Sequence, residues 1–167
     1  AAVAAQWFLD HGARRVTILD VDYHHSNGTQ EIFYRRADVQ TVDLHADTRV
    51  AYPFFSGRAD EVGEGKGEGF ALNLPMPFGT SWDVWGASLD EACRAIEVFG
   101  PDVVVVSLGL DTFEGDPISK FKLKREDYPK IGARIVRLGR PTLFVQEGGY
   151  AVEDIGHNAV GVLSGFE

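Results

Sequence analysis

The run Val103-Val104-Val105-Val106-Ser107 carries four consecutive valines and no charge. A β-branched run of this kind reads as a strand buried on both faces, and such strands belong to parallel sheets covered by helices on either side. The rest of the chain obeys that constraint. Ala1–His11 reads as a helix ended by Gly12, Val16–Asp22 as a strand, Asn27–Arg36 as a helix and Val39–Leu44 as a second strand. An irregular stretch runs from about Thr48 to Gly69, and Phe70–Leu74 is a short strand closed by Pro75 and Pro77. Ser81–Phe99 is a strongly amphipathic helix, and Leu108–Lys124 is a loop. Arg125–Leu138 is helical, Thr142–Val145 is the last strand, and Val152–Ser164 reads as a closing helix. Strands alternating with helices predict an α/β fold, a layered parallel sheet with helices on both faces. The sequence shows no internal repeat and no linker, so a single domain over residues 1–167 is expected.

The 167 residues are enough for one domain with a real core. No apolar run approaches membrane-spanning length. The Ala-rich start places its positive charge after the apolar part, the reverse of a signal peptide, so a cytoplasmic location is expected. A single cysteine, Cys93, excludes an internal disulfide and suits a reducing compartment. Its setting, LDEACRAIEVF, is that of a packed helix residue. With 16 basic and 25 acidic residues the net charge is −9, which argues against non-specific binding to nucleic acid. Neither nucleic acid nor membrane is an expected partner. Self-association into a homo-oligomer stays open.

Chemistry concentrates in Leu19–Gln30, LDVDYHHSNGTQ. If the first strand runs through Asp22, alternation points Asp20, Asp22 and His24 to one face at its carboxyl end, where open α/β sheets bind ligands. A single strand-end aspartate reads rather as a cap of the following helix. Three ligand-type residues at period two point to a metal. Asp111, just past the apolar strand in Ser107-Leu108-Gly109-Leu110-Asp111, is a cap or a fourth such residue. Right-handed crossovers place Asp20–His24, Leu108–Asp111 and Gln146–Tyr150 on one rim. Asp22, His24 and Asp111 then make a three-ligand site with an open position, which suits a catalytic metal. In Gln146-Glu147-Gly148-Gly149-Tyr150 the paired glycines allow a tight turn. Tyr150 is either a packing residue or a phenol aimed at an oxyanion on the rim.

The run GEGKGEG lacks the Ser/Thr and the preceding strand of a phosphate loop, and its glutamates repel phosphate, so it reads as a loop. No glycine fingerprint follows the first strand, which disfavours a Rossmann-like nucleotide site.

DVDYHHSNGTQ, LHADTRVAYPFF, SLGLDTFEGDPISKFKL and EGGY together resemble the histone deacetylase superfamily, above all its bacterial acetylpolyamine amidohydrolase branch. The resemblance runs in order along the chain and covers only the carboxyl-terminal half of family members. It implies an arginase–deacetylase type fold, present as its C-terminal portion. It also implies a metal-dependent deacetylase acting on acetylated polyamines or other small acetylated amines, with acetyl-lysine proteins or a non-catalytic metal-binding fragment as alternatives. On this resemblance Asp22, His24 and Asp111 hold zinc or ferrous iron, and Tyr150 polarises the amide carbonyl. Asp20 orients a catalytic histidine, and Asn27 supports the second histidine of that pair. Tyr52 and Ile118 line the acyl tunnel. Potassium or another monovalent cation is implied at Asp20, Asp22, His24 and Leu44, and at Phe33, Arg36 and Val39, largely through backbone carbonyls. Two residues depart from the family pattern, Ser26 where glycine is usual and Asp43 where serine is common. The tandem histidine pair that serves as base and acid is expected in the missing N-terminal half. His24-His25 does not match that pair: His24 aligns with a metal ligand and His25 with a buried structural residue.

Overall fold

The computed structural model describes residues 1–167. Five strands form one all-parallel sheet: β1 (Val16–Asp20), β2 (Val39–Ala46), β3 (Ala71–Met76), β4 (Val103–Leu108) and β5 (Thr142–Gln146). Their spatial order is β3-β2-β1-β4-β5. Five helices connect and flank them: α1 (Ala2–Asp10), α2 (Asn27–Phe33), α3 (Trp82–Phe99), α4 (Tyr128–Ile135) and α5 (Ile155–Phe166).

The two faces of the sheet follow from the period of the strands. Leu19, Val42, Leu44, Val104 and Val106 meet Trp85, Leu89 and Ile96 of α3, Ile131 and Ile135 of α4, and Val162 of α5. Their neighbours in the strands, Val16, Ile18, Val39 and Val105, point the other way onto Ala5 of α1 and Phe33 of α2. Each large apolar side chain so buried stabilises the fold by roughly 1.5–3 kcal/mol. The valine run is therefore the central strand that its sequence predicts, covered on both faces.

Several boundaries move, each for a local reason. β1 stops at Asp20, two residues short of the Asp22 expected from sequence. The Asp20 and Asp22 carboxylates each capture the backbone N–H two residues on, which turns the chain out of the strand. β2 runs on to Ala46, so His45 lies inside a strand and is fully buried. β3 continues through Pro75, which an edge strand tolerates. The segment expected as one helix, Arg125–Leu138, is an α-helix from Tyr128 to Ile135 with 3-10 turns at both ends. The closing helix starts at Ile155 rather than Val152.

β5 pairs only with β4. Its residues are half-buried or exposed, whereas β1 and β2 are buried throughout. Beside it, Val3, Trp7 and Phe8 with Leu143 and Val145 line a trough built of apolar side chains. No helix is long and apolar enough to cross a membrane.

Candidate active site

The carboxyl ends of β1, β4 and β5 lie side by side, and the segments that leave them are tied together. Leu110 N–H donates to the Gly148 carbonyl at 2.8 Å. Tyr23 N–H donates to Asp111 Oδ1 at 2.9 Å, and Gly148 N–H donates to Asp22 Oδ2 at 3.1 Å. These bonds bring Asp22, His24 and Asp111 together, one ligand atom from each within 4.8 Å of the others. The expected rim exists. It does not arise from strand alternation, because Asp22 and His24 sit on the consecutive side-chain turns past β1. Asp22 N–H donates to Asp20 Oδ1 at 2.9 Å, and His24 N–H donates to Asp22 Oδ1 at 2.8 Å.

Backbone N–H groups engage both carboxylate oxygens of Asp22 and one of Asp111. His24 Nδ1 stands 3.2 Å from Asp22 Oδ1 and 3.0 Å from Asp111 Oδ2. Asp111 Oδ2 is buried, and the approach of His24 lacks hydrogen-bond geometry, so this oxygen has no hydrogen-bond partner. One imidazole nitrogen carries at most one proton and cannot satisfy two carboxylates. A cation among the three atoms satisfies all of them, so the donor set fits a divalent metal.

The charges agree with this. The carboxylates of Asp111 and Asp22 beside its ring push His24 up to about 9. Burial, with the charge of Asp22 added, pushes Asp111 up to about 6. Asp20 is raised by burial first and then by the charges of Asp43 and Asp22. In the metal-free protein the raised pKa of His24 contributes stability that is complete below about 6.5 and lost as pH rises through about 9. Asp111 acts in the same direction at lower pH, since its carboxyl is also raised. After screening at this partly exposed rim, the His24 contribution is on the order of 1–2 kcal/mol. Metal competes with that proton, so loaded protein is expected to show the opposite slope. Thermal unfolding at pH 6.5 and pH 9, with and without chelator, checks both signs.

Two glycines leave room for the ligands. A Cβ at Gly109 would stand 2.2 Å from Asp22 Oδ2 and 2.4 Å from Asp22 Cα. A Cβ at Gly148 would stand 2.4 Å from the same oxygen and 3.1 Å from Asp111 Oδ2. Gly109→Ala is therefore expected to cost about 1–3 kcal/mol as an overpacked site and to weaken metal binding by displacing Asp22. Denaturant unfolding and a metal titration of the variant measure the two effects.

Tyr150 follows Gly149, whose φ of +139° sets the turn. Its side chain is half exposed, and burial followed by the charges of Asp111, Asp22 and Asp116 raises its phenol. Asp116, for which no role is expected from the sequence, fixes this segment. Its Oδ2 accepts Tyr150 N–H at 2.7 Å, and its Oδ1 accepts Ile118 N–H at 3.0 Å. Ile118 and Tyr52 are both exposed, and the Tyr52 ring centroid lies 6.3 Å from that of His24. Asp20, Asp22, His24, Asn27, Ser107 and Glu147 line a cleft at the rim.

The proposed cation positions fall at opposite ends of β2. Asp20, Asp22, His24 and Leu44 lie toward its carboxyl end, and Phe33, Arg36 and Val39 at its start, with the Arg36 guanidinium 5.2 Å from the centre of the Phe33 ring. The departures Ser26 and Asp43 touch each other. Ser26 Oγ donates to Asp43 Oδ2 at 2.7 Å, and Asp43 is the register partner of Asp20. Of the remaining histidines, His11 stacks on Trp7 and His157 is exposed on α5.

The chain matches the histone deacetylase domain model over residues 1–166. It is 61% identical over 167 residues to acetylpolyamine amidohydrolase 1 of Pseudomonas aeruginosa, covering 100% of this chain and 48% of that protein. It is 53% identical to the acetylpolyamine amidohydrolase of Mycoplana ramosa, covering 99% of this chain and 48% of the relative. A crystal structure of acetylpolyamine aminohydrolase from Burkholderia pseudomallei superposes with a TM-score of 0.96 at 42% identity, covering 99% of this chain and 48% of that one. The chain thus spans about half the length of these relatives.

Proposed function

Because the chain belongs to the histone deacetylase family, we propose that it carries the metal centre and oxyanion-binding tyrosine of an amidohydrolase that removes acetyl groups from acetylated polyamines or related small amines. The observation that carries this reading is the convergence of Asp22, His24 and Asp111, with Asp111 Oδ2 buried and unpartnered. The identity of 61% to a relative named for acetylpolyamines, against 34–37% to relatives named for histone deacetylation, favours the polyamine class over acetyl-lysine proteins.

Asp22, His24 and Asp111 hold the metal, zinc or ferrous iron by its Asp and His ligands. When bound, the ion supplies Lewis-acid polarisation of an amide carbonyl and of water. Tyr150 donates its phenolic hydrogen to the oxygen that gains charge as the amide is attacked. Asp20, buried and without a cationic partner of its own in the cleft, accepts the ring N–H of a histidine base, and Asn27 supports the other histidine of the pair. Tyr52 and Ile118 flank the acyl group. Potassium at the β2 carbonyl positions braces the turns that follow β1.

The histidine base and acid come from the part of the relatives that this chain does not span. That part belongs to the same domain and adds to the open edge of β5, covering the trough beside α1. Without it the chain binds metal and does not turn over. The reducing setting implied by the lone cysteine fits a cytoplasmic enzyme.

The test assays the complete protein, and this chain alone, on acetylputrescine and on an acetyl-lysine peptide. Turnover of acetylputrescine by the complete protein, and none by the chain alone, is expected. Preference for the peptide would move the substrate to acetyl-lysine, and turnover by the chain alone would place the base within it.

A further inference from the structure

Asp116 is not among the metal-ligating residues, yet it is only 6% exposed and its carboxylate accepts three backbone N–H groups. Oδ1 takes Ile118 N–H at 3.0 Å and Ser119 N–H at 3.3 Å, both in its own loop. Oδ2 takes Tyr150 N–H at 2.7 Å, from a segment 34 residues away. A buried carboxylate needs such donors to offset its lost hydration, and hydrogen bonds to a charged acceptor are roughly twice as strong as neutral ones.

The loop that carries Asp116 is a firm mount. Leu110, Thr112, Phe121 and Leu123 are buried at its two ends, and Phe113 pairs with Leu123. Glu114 N–H donates to the Leu123 carbonyl, and Lys122 N–H to the Thr80 carbonyl, each at 2.8 Å. The segment that carries Tyr150 is the reverse. Gly148 and Gly149 precede it, the residue type with the fewest backbone restrictions. The N–H groups of Ala151, Val152 and Glu153 make no hydrogen bond, and the bond to Asp116 is the only one that Tyr150 makes. Further on, Arg125 pairs with Asp154 at the surface, a kind of contact worth little. The position of Tyr150 is therefore set by Asp116.

We propose that Asp116 is the positioning residue for the Tyr150 phenol, fixing the tyrosine backbone against the loop that also carries Ile118. The acyl-binding wall and the oxyanion donor are then placed by one carboxylate. The inference rests on the reading of Tyr150 as that donor. A reacting or donating group misplaced by about 1 Å costs on the order of 100-fold in rate. One carboxylate serves both loops because each has an oxygen of its own. Asparagine keeps a single acceptor oxygen and puts an amide NH2 where the other stood, so it cannot hold both.

The complete enzyme is assayed on acetylputrescine as wild type, Asp116→Asn, Tyr150→Phe and the double variant, with the zinc content of each measured alongside. Asp116→Asn is expected to lower kcat by about 10- to 100-fold at wild-type zinc content. Where the hydroxyl is already gone, the same substitution is expected to cost less than about twofold. An equal fall in both backgrounds would mean that Asp116 supports the fold and not the phenol, and would overturn the proposal. Full turnover in Asp116→Asn would overturn it too. Full turnover in Tyr150→Phe would instead overturn the oxyanion role on which the proposal rests. If Asp116→Asn fails to fold, amide hydrogen exchange of the wild type decides. Tyr150 N–H is expected to exchange slowly beside Val152 and Glu153, and exchange at their rate would remove Asp116 as the anchor.

Discussion

Asp111→Ala is expected to remove the equivalent of metal held at the rim, lowering affinity there by well over 100-fold. Losing a group that merely supports a ligand already costs about 10–100-fold. Asp111 does more than support. Its Oδ1 accepts Tyr23 N–H, which fixes the turn that carries Asp22 and His24, and its Oδ2 is the unpartnered atom aimed among them. Alanine removes the ligand and also loosens the turn holding the other two. The variant should keep its fold, because a small side chain replaces one that is raised in pKa by burial. Isothermal titration with zinc, set beside circular dichroism of the variant, decides the matter. Unchanged affinity at the rim in a folded variant would remove Asp111 from the ligand set.

Tyr150→Phe should act in the opposite way, leaving metal content unchanged and lowering turnover of the complete enzyme by about 100- to 1,000-fold, the usual cost of one oxyanion donor. The phenol is half exposed and its ring carries no core packing, so removing the hydroxyl takes away a donor and little else. Its backbone is held independently by Asp116. The expected signature is a fall in kcat with KM little altered, measured on acetylputrescine. A variant that lost metal as well would mean that the tyrosine shapes the ligand cradle.

The parallel layered sheet was legible because valine runs and strand–helix alternation leave few alternatives, while the strand order, which sets β1, β4 and β5 side by side and brings three distant segments to one rim, came from the structure. The convergence of Asp22, His24 and Asp111 was legible by residue type, but alternation along a strand was the wrong reason. The carboxylates that mark the site also end the strand, a competition between side chain and ladder for backbone N–H groups that periodicity cannot register. Asp116 and Gly109 went unread as site residues because their roles depend on how two loops meet.

The open edge of β5 has a consequence for handling as well as for catalysis. A half-exposed parallel strand beside an apolar trough presents free backbone donors and acceptors together with a sticky surface. Two copies meeting there can ladder together, and nothing in that encounter requires the correct partner. On the proposed reading, in which the part of the relatives that this chain does not span pairs with β5, colloidal behaviour and chemical competence depend on the same pairing.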